Sequence, residues 1–160
     1  MKMEEATAGA EGVAILCFRL RGRWFGLDAC MAQEVVEVPV VTPLPGSPPH
    51  VRGLFPLHGR AIPLVELGLV LGLPAGIAEA AESNDSEDTA LVIVASAADM
   101  TVGILADKVR EIVEIPAREI CELRISTGGR VCEFGRGEID LGEKVVTVLD
   151  LKKLLEATRV

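Results

Sequence analysis

Apolar and polar residues alternate in short runs along most of this chain, which predicts many strands and little helix. Residues 13–21 set Ile15, Cys17, Arg19 and Arg21 on one face and Leu16, Phe18 and Leu20 on the other, a half-buried strand. Arg21-Gly22-Arg23 makes a turn, and residues 24–27 return as its partner. Asp28 can cap a short helical turn reaching Ala32, and residues 34–38 resume strand character. Pro39, Pro43, Pro45, Pro48 and Pro49 then make a stiff connection in which no helix can form. Two apolar runs follow, 53–58 and 61–65, joined as a hairpin at Gly59-Arg60. Pro63 inside the second run predicts an edge or irregular strand. Residues 66–73 fit one or two helical turns, stopped by Gly72 and Pro74.

The second half begins after residues 75–88, an Ala, Gly, Ser and acidic stretch expected to be a mobile loop. Residues 91–95 suit a central strand and 101–105 its partner, with a helical turn expected at 107–109 and a strand at 111–115. The glycine-rich span 126–142, including Gly128-Gly129-Arg130, reads as turns around a short strand at 131–134. Residues 144–149 form a strand, and Asp150 can cap a closing helix bearing Leu151, Leu154 and Leu155 on one face. Short strands at tight turns point to small β-barrels or a sandwich.

An internal repeat narrows that choice. Residues 26–39 align without gaps on 103–116, and Gly, Ala, Glu, Val, Glu and Pro recur at 26/103, 29/106, 34/111, 36/113, 37/114 and 39/116. Further on, 62–67 corresponds to 146–151. Glycine and proline returning in register favour two similar β-subdomains arising by duplication, with a groove between them.

Composition excludes several classes. In 160 residues, 49% are apolar but only 3% aromatic, so Val, Leu, Ile and Ala must build the core. The net charge of −8 argues against nucleic acid or an anionic membrane as partner. Residues 1–12 are acidic, unlike a secretory signal, and are expected to be disordered, and residues 156–160 are a short C-terminal tail. With no apolar stretch near the roughly 20 residues a bilayer requires, a cytoplasmic protein is expected. Cys17, Cys30, Cys121 and Cys132 lack zinc-knuckle or redox spacing and read as small hydrophobes in a reducing compartment.

Enzyme readings find little support. His58 with Glu34 or Glu66 and a cysteine could mimic a triad, but neither histidine sits beside a nucleophile in a strained turn. No serine has a nucleophile-elbow context, no phosphate-binding glycine loop is present, and His50 with His58 is a poor metal pair. A single-stranded nucleic-acid barrel would need exposed aromatics among basic residues. Trp24, Phe18, Phe25, Phe55 and Phe134 lie in aliphatic runs instead. No catalytic residue, metal or cofactor is expected. An interaction module remains, with the apolar hairpin as its surface.

The chain resembles the CheW family of chemotaxis coupling proteins. The resemblance runs from about Val13 to about Leu155, through Phe18-Arg19-Leu20-Arg21-Gly22-Arg23-Trp24-Phe25-Gly26-Leu27-Asp28, Gln33-Glu34-Val35, Val51-Arg52-Gly53 and Ile62-Pro63-Leu64-Val65-Glu66-Leu67. It continues through Val102-Gly103-Ile104-Leu105-Ala106-Asp107 and Val148-Leu149-Asp150-Leu151. It implies a mainly β fold of two intertwined five-stranded SH3-like β-barrels over 13–155, with short helices and a C-terminal helix. It also implies no catalysis: such adaptors couple the cytoplasmic tips of methyl-accepting chemoreceptors to the regulatory domain of the histidine kinase CheA, in membrane-associated arrays. The receptor groove, by the same resemblance, falls on Glu34, Val35, Leu54, Phe55, Leu57, His58, Gly59 and Arg60. This chain departs from the family there. Pro56-Leu57-His58-Gly59 replaces the usual Asn-Leu-Arg-Gly, and Glu66 replaces an aspartate. The alternative is thus a divergent scaffold of a non-flagellar pathway, controlling pili or gene expression, with altered receptor binding.

Overall fold

The computed structural model describes residues 12–73, 90–97, 99–121 and 131–157. The expected loop at 75–88, the Gly128-Gly129-Arg130 turn and nearly all of the two tails lie outside them. Ten strands appear in order: β1 Gly12–Leu20, β2 Arg23–Asp28, β3 Ala32–Glu37, β4 Val51–Leu57, β5 Arg60–Val65, β6 Leu91–Ala97, β7 Met100–Ala106, β8 Lys108–Pro116, β9 Gly135–Asp140 and β10 Val145–Leu149. Short helices α1 Leu67–Val70 and α2 Val131–Phe134 and the longer α3 Leu151–Ala157 complete the elements of the described residues. Single 3₁₀ turns follow β2, at Ala29–Met31, and β8, at Ala117–Glu119.

The strands form two five-stranded sheets, β8-β1-β2-β10-β9 and β3-β6-β7-β5-β4. Advancing each strand label by five converts one order into the other. Each sheet draws strands from both halves of the chain, so the two are intertwined. The matching segments 26–39 and 103–116 are the places where the chain crosses between sheets, from β2 to β3 and from β7 to β8. Gly26 lies beside Val148 in the parallel β2–β10 pair, and Gly103 beside Leu64 in the parallel β7–β5 pair. A Cβ on Gly26 would collide with Ile15, and one on Gly103 would come within 2.7 Å of the Phe55 ring. Both glycines therefore sit where a narrow barrel interior leaves no room for a side chain.

Three apolar clusters hold this arrangement. Ile15, Cys17, Ile115, Ile139, Val146 and Val148 fill the first barrel, and Phe55, Ile62, Leu64, Val92 and Val94 the second. The largest cluster lies between them and takes Leu16, Phe18, Phe25, Leu67, Ile104, Leu154 and Leu155 among others. This corrects the half-buried reading of the first strand. β1 runs between β8 and β2, so from Ala14 to Phe18 its two predicted faces enter two different cores and both are buried, while Arg19 is partly so.

Five further expectations are revised. Residues 131–134 are a helical turn, not a strand, because burying both Val131 and Phe134 in one core needs the i, i+3 spacing of a helix. The span read as turns beyond it contains β9. Residues 107–109 do not form a helical turn. Asp107 bends, its N–H donating to Arg19 O, and Lys108 and Val109 already pair with Arg19 and Phe18. The hairpin turn is His58-Gly59, with φ of 49° and 78°, rather than Gly59-Arg60. Finally, of the two alternatives for β5 the edge is excluded and the irregular strand stands, with a register shift in its pairing to β4. It lies between β7 and β4, but its ladder to β7 holds only Leu64 and Val65, so Pro63 precedes that ladder rather than interrupting it.

Candidate functional site

The β4–β5 hairpin tip carries two consecutive left-handed residues, the backbone of a type I′ turn whose twist suits a tight hairpin. Gly59 adopts that conformation at no steric cost, whereas His58 adopts it against preference. The turn brings the His58 ring back towards β3, the opposite edge of the same sheet. Its Nε2 lies 3.1 and 3.2 Å from the two carboxylate oxygens of Glu34. Glu34 follows a register shift in the β3–β6 pair, where Gln33 is left to bond Ser96 Oγ at 2.7 Å. The side chain of His58 is 70% exposed and that of Glu34 only 13%, so the imidazole covers the carboxylate from outside.

The expected site residues divide on this surface. Phe55 and Val35 are buried in cores, so they support the surface rather than form it. Leu54 and Leu57 are half-buried, and Leu57 packs on the second-barrel cluster. His58, Gly59 and Arg60 are exposed at the tip. The backbone of Leu54 exchanges hydrogen bonds with Thr42, at 2.8 and 2.9 Å. The Glu34–His58 contact joins the two edges of the sheet, and that bridge ties the segment after β3 to β4, so that together they close the barrel.

The first barrel closes in the same manner. Cys121 and Glu138 exchange backbone bonds, both 2.8 Å, and Glu111 on edge strand β8 meets Lys144 in the β9–β10 turn at 3.4 Å. A Cβ on Gly53 would strike Thr42 O, and one on Gly137 would lie 2.6 Å from Cys121 O. Each bridge therefore demands a glycine beside it. The two clasps differ in the side chain that meets the glutamate. Lys144 is 12% exposed and sits 4.0 Å from the centroid of Trp24, a cation–π contact. Glu111 is held below the usual carboxylate range by its own backbone N–H, which outweighs desolvation, with a lesser push from the Lys144 charge. An open hollow of about 340 Å³ lies there, lined by Trp24, Arg110, Glu111, Glu143 and Lys144.

Between the barrels sits a cluster that sequence reading missed. Arg21, in the β1–β2 turn, donates to Leu73 O at 2.6 Å and to Glu66 Oε1 at 3.0 Å, while Arg52 from β4 reaches Glu66 Oε2 at 3.3 Å. The Arg21 side chain passes over Gly68, where a Cβ would lie 2.7 Å from its Nε. Glu66 does not cap α1, whereas Asp150 at the matching position bonds Lys153 N at 3.1 Å and caps α3. The signal was the glutamate itself, long enough to pass over the helix start and pair with arginines from two strands. Lys144 and Trp24 went unread because the repeat aligns Glu34 with Glu111 but not their basic partners.

Among the described residues, no group of three His, Cys, Asp or Glu side chains could hold a metal ion. Nor is any described helix long and apolar enough to cross a membrane. Burial, and then the Glu111 charge, push the Cys17 thiol up to about 11, and a hydrogen bond to Asp28 raises that of exposed Cys30. What the described residues present is edge strands, a hairpin tip and charged clasps, the make-up of a protein-docking module. Residues 14–159 match the family model described as the CheW-like domain, and the chain belongs to that family. It is similar to the chemotaxis protein CheW of Thermotoga maritima, at 28% identity over 145 residues, 89% of this chain and 87% of that one. The chemotaxis protein CheW of Treponema pallidum is 24% identical over 147 residues, 92% of this chain and 84% of the relative. The solved scaffolding protein TtCheW of Thermoanaerobacter tengcongensis shares the fold, with a TM-score of 0.75 and 24% identity over 89% of this chain and 87% of that one.

Proposed function

We propose that this chain is a non-catalytic cytoplasmic adaptor that couples the cytoplasmic tips of methyl-accepting chemoreceptors to the regulatory domain of the histidine kinase CheA. Membership of the CheW-like family over residues 14–159 is the observation that carries the reading. The receptor surface in this reading is the β4–β5 tip with Glu34, Leu54, Leu57, His58, Gly59 and Arg60, held in shape by Val35 and Phe55 beneath. Isothermal titration of the full chain with the kinase regulatory domain and with receptor cytoplasmic fragments from the source organism tests it. Micromolar binding of both is expected, and heat from neither at tens of micromolar would remove the assignment.

One observation favours a specialised partner. The tip reads Pro56-Leu57-His58-Gly59, so the contact to Glu34 is made by an imidazole, which is charged only when protonated. In that second reading the receptor belongs to a non-flagellar chemosensory pathway, controlling pili or gene expression. Receptors of such a pathway would then bind at least tenfold more tightly than flagellar ones.

A further inference from the structure

The two barrels close alike but hold their closing glutamates differently, and the difference points to what one of them binds. Lys144 is locked between Glu111 and the Trp24 ring and is 12% exposed, so nothing from outside can take its place without dismantling that stack. Glu34 is covered by a ring that is 70% exposed, on a turn residue with φ of 49°. His58 meets both carboxylate oxygens through one nitrogen. A guanidinium or ammonium could do the same with a permanent charge, and a guanidinium with two parallel bonds.

We propose that Glu34 is a docking point for an arginine or lysine side chain of the partner protein, and that His58 is a placeholder which the incoming cation displaces. Half-buried Leu57, next to His58 in the chain, offers apolar surface along which the stem of such a side chain can lie. The net charge of −8 attracts a cationic surface during encounter. The equivalent Glu111 offers no such exchange: its carboxylate is itself 51% exposed, and the lysine it meets is held by the Trp24 ring, so no placeholder there is displaced. The proposal rests on the adaptor reading for the identity of the partner, but not for the chemistry of the site.

The test uses the full chain with N-acetyl-arginine amide and its neutral isostere N-acetyl-citrulline amide, followed by NMR of the His58 ring and the Gly59 amide. The arginine compound should move both signals saturably in the millimolar range, and the citrulline compound at least fivefold less. Glu34→Gln should abolish the response. His58→Asn, which keeps a residue tolerant of the left-handed turn, should tighten the apparent affinity at least twofold by removing the competitor. Glu111→Gln should leave the response unchanged. Equal shifts from the two compounds, a response surviving in Glu34→Gln, or weaker binding in His58→Asn would each overturn the proposal. If receptor fragments fail to bind while the arginine compound still displaces His58, the adaptor reading falls and this one stands.

Discussion

Two thiols show how far position alone sets a side chain's chemistry. Cys17 faces the interior of the first barrel, where burial and the Glu111 charge lift its pKa to about 11. At pH 8 such a thiol is about one part in a thousand thiolate, and only the thiolate reacts. Cys30 is exposed, but its thiol donates to Asp28 Oδ1 at 2.9 Å, which favours the protonated form. Iodoacetamide at pH 8 with peptide mapping should label Cys121 and, more slowly, Cys30, leaving Cys17 unlabelled until denaturant is added. Asp28→Asn keeps an oxygen to cap the Cys30 N–H but removes the charge, so Cys30 labelling should speed up several-fold. Labelling of Cys17 at the rate of Cys30 in the native protein would contradict its burial. Glu66 is a second case, since its carboxylate, about one-fifth exposed, pairs with Arg21 and Arg52 together. Glu66→Gln should cost about 1–2 kcal/mol in urea unfolding, the scale of weakened charge-assisted bonds at a partly buried site.

At the scale of elements, the barrel seams are where small changes should cost most. Gly53→Ala places a methyl against Thr42 O at a φ of 146°, and Gly137→Ala places one against Cys121 O. Neither carbonyl can retreat without breaking the bridge it belongs to, so each variant should lose about 2–4 kcal/mol. Gly142→Ala, with a φ of 87° but nothing nearby for the methyl to meet, should lose only about 1 kcal/mol from backbone strain. Equal losses at all three would mean that the seams are not the constraint. Elements with a clear period were legible in the sequence. The alternation of β1, β2 and β5 showed, and the Asp28 and Asp150 caps fall where expected. Helix α2 and strand β9 were not legible, because four residues cannot display a period and Gly135, Gly137 and Gly142 look like turns. Gly137 is instead a strand residue pressed against a carbonyl. The Glu34 and His58 positions were legible through family resemblance. Their counterpart at Glu111 and Lys144 was not, since a clasp formed between opposite edges of a curled sheet leaves no local pattern.

At the scale of the whole molecule, the largest apolar cluster lies between the barrels and takes residues from both sheets and from α3. Neither barrel can be stripped of that shared layer and keep its strands covered, so the two should unfold as one unit. The chain carries its own reporter. Its single tryptophan, Trp24, packs on the first-barrel cluster, whereas Phe55 is buried in the second. Phe55→Ala leaves a large cavity far from Trp24 and should cost about 3–5 kcal/mol. In urea, Trp24 fluorescence and far-ultraviolet circular dichroism should report the same midpoint in the wild type. In Phe55→Ala both midpoints should fall together by the full amount, although the altered core does not contain the tryptophan. Leu154→Ala, in the shared layer, should shift them jointly by about 2–4 kcal/mol. If Phe55→Ala lowered the dichroism midpoint while the Trp24 transition stayed in place, the barrels would be separable. The chain would then have to be understood as two docking units joined by crossovers, with the Arg21–Glu66–Arg52 cluster no longer needed to keep them in one folding unit.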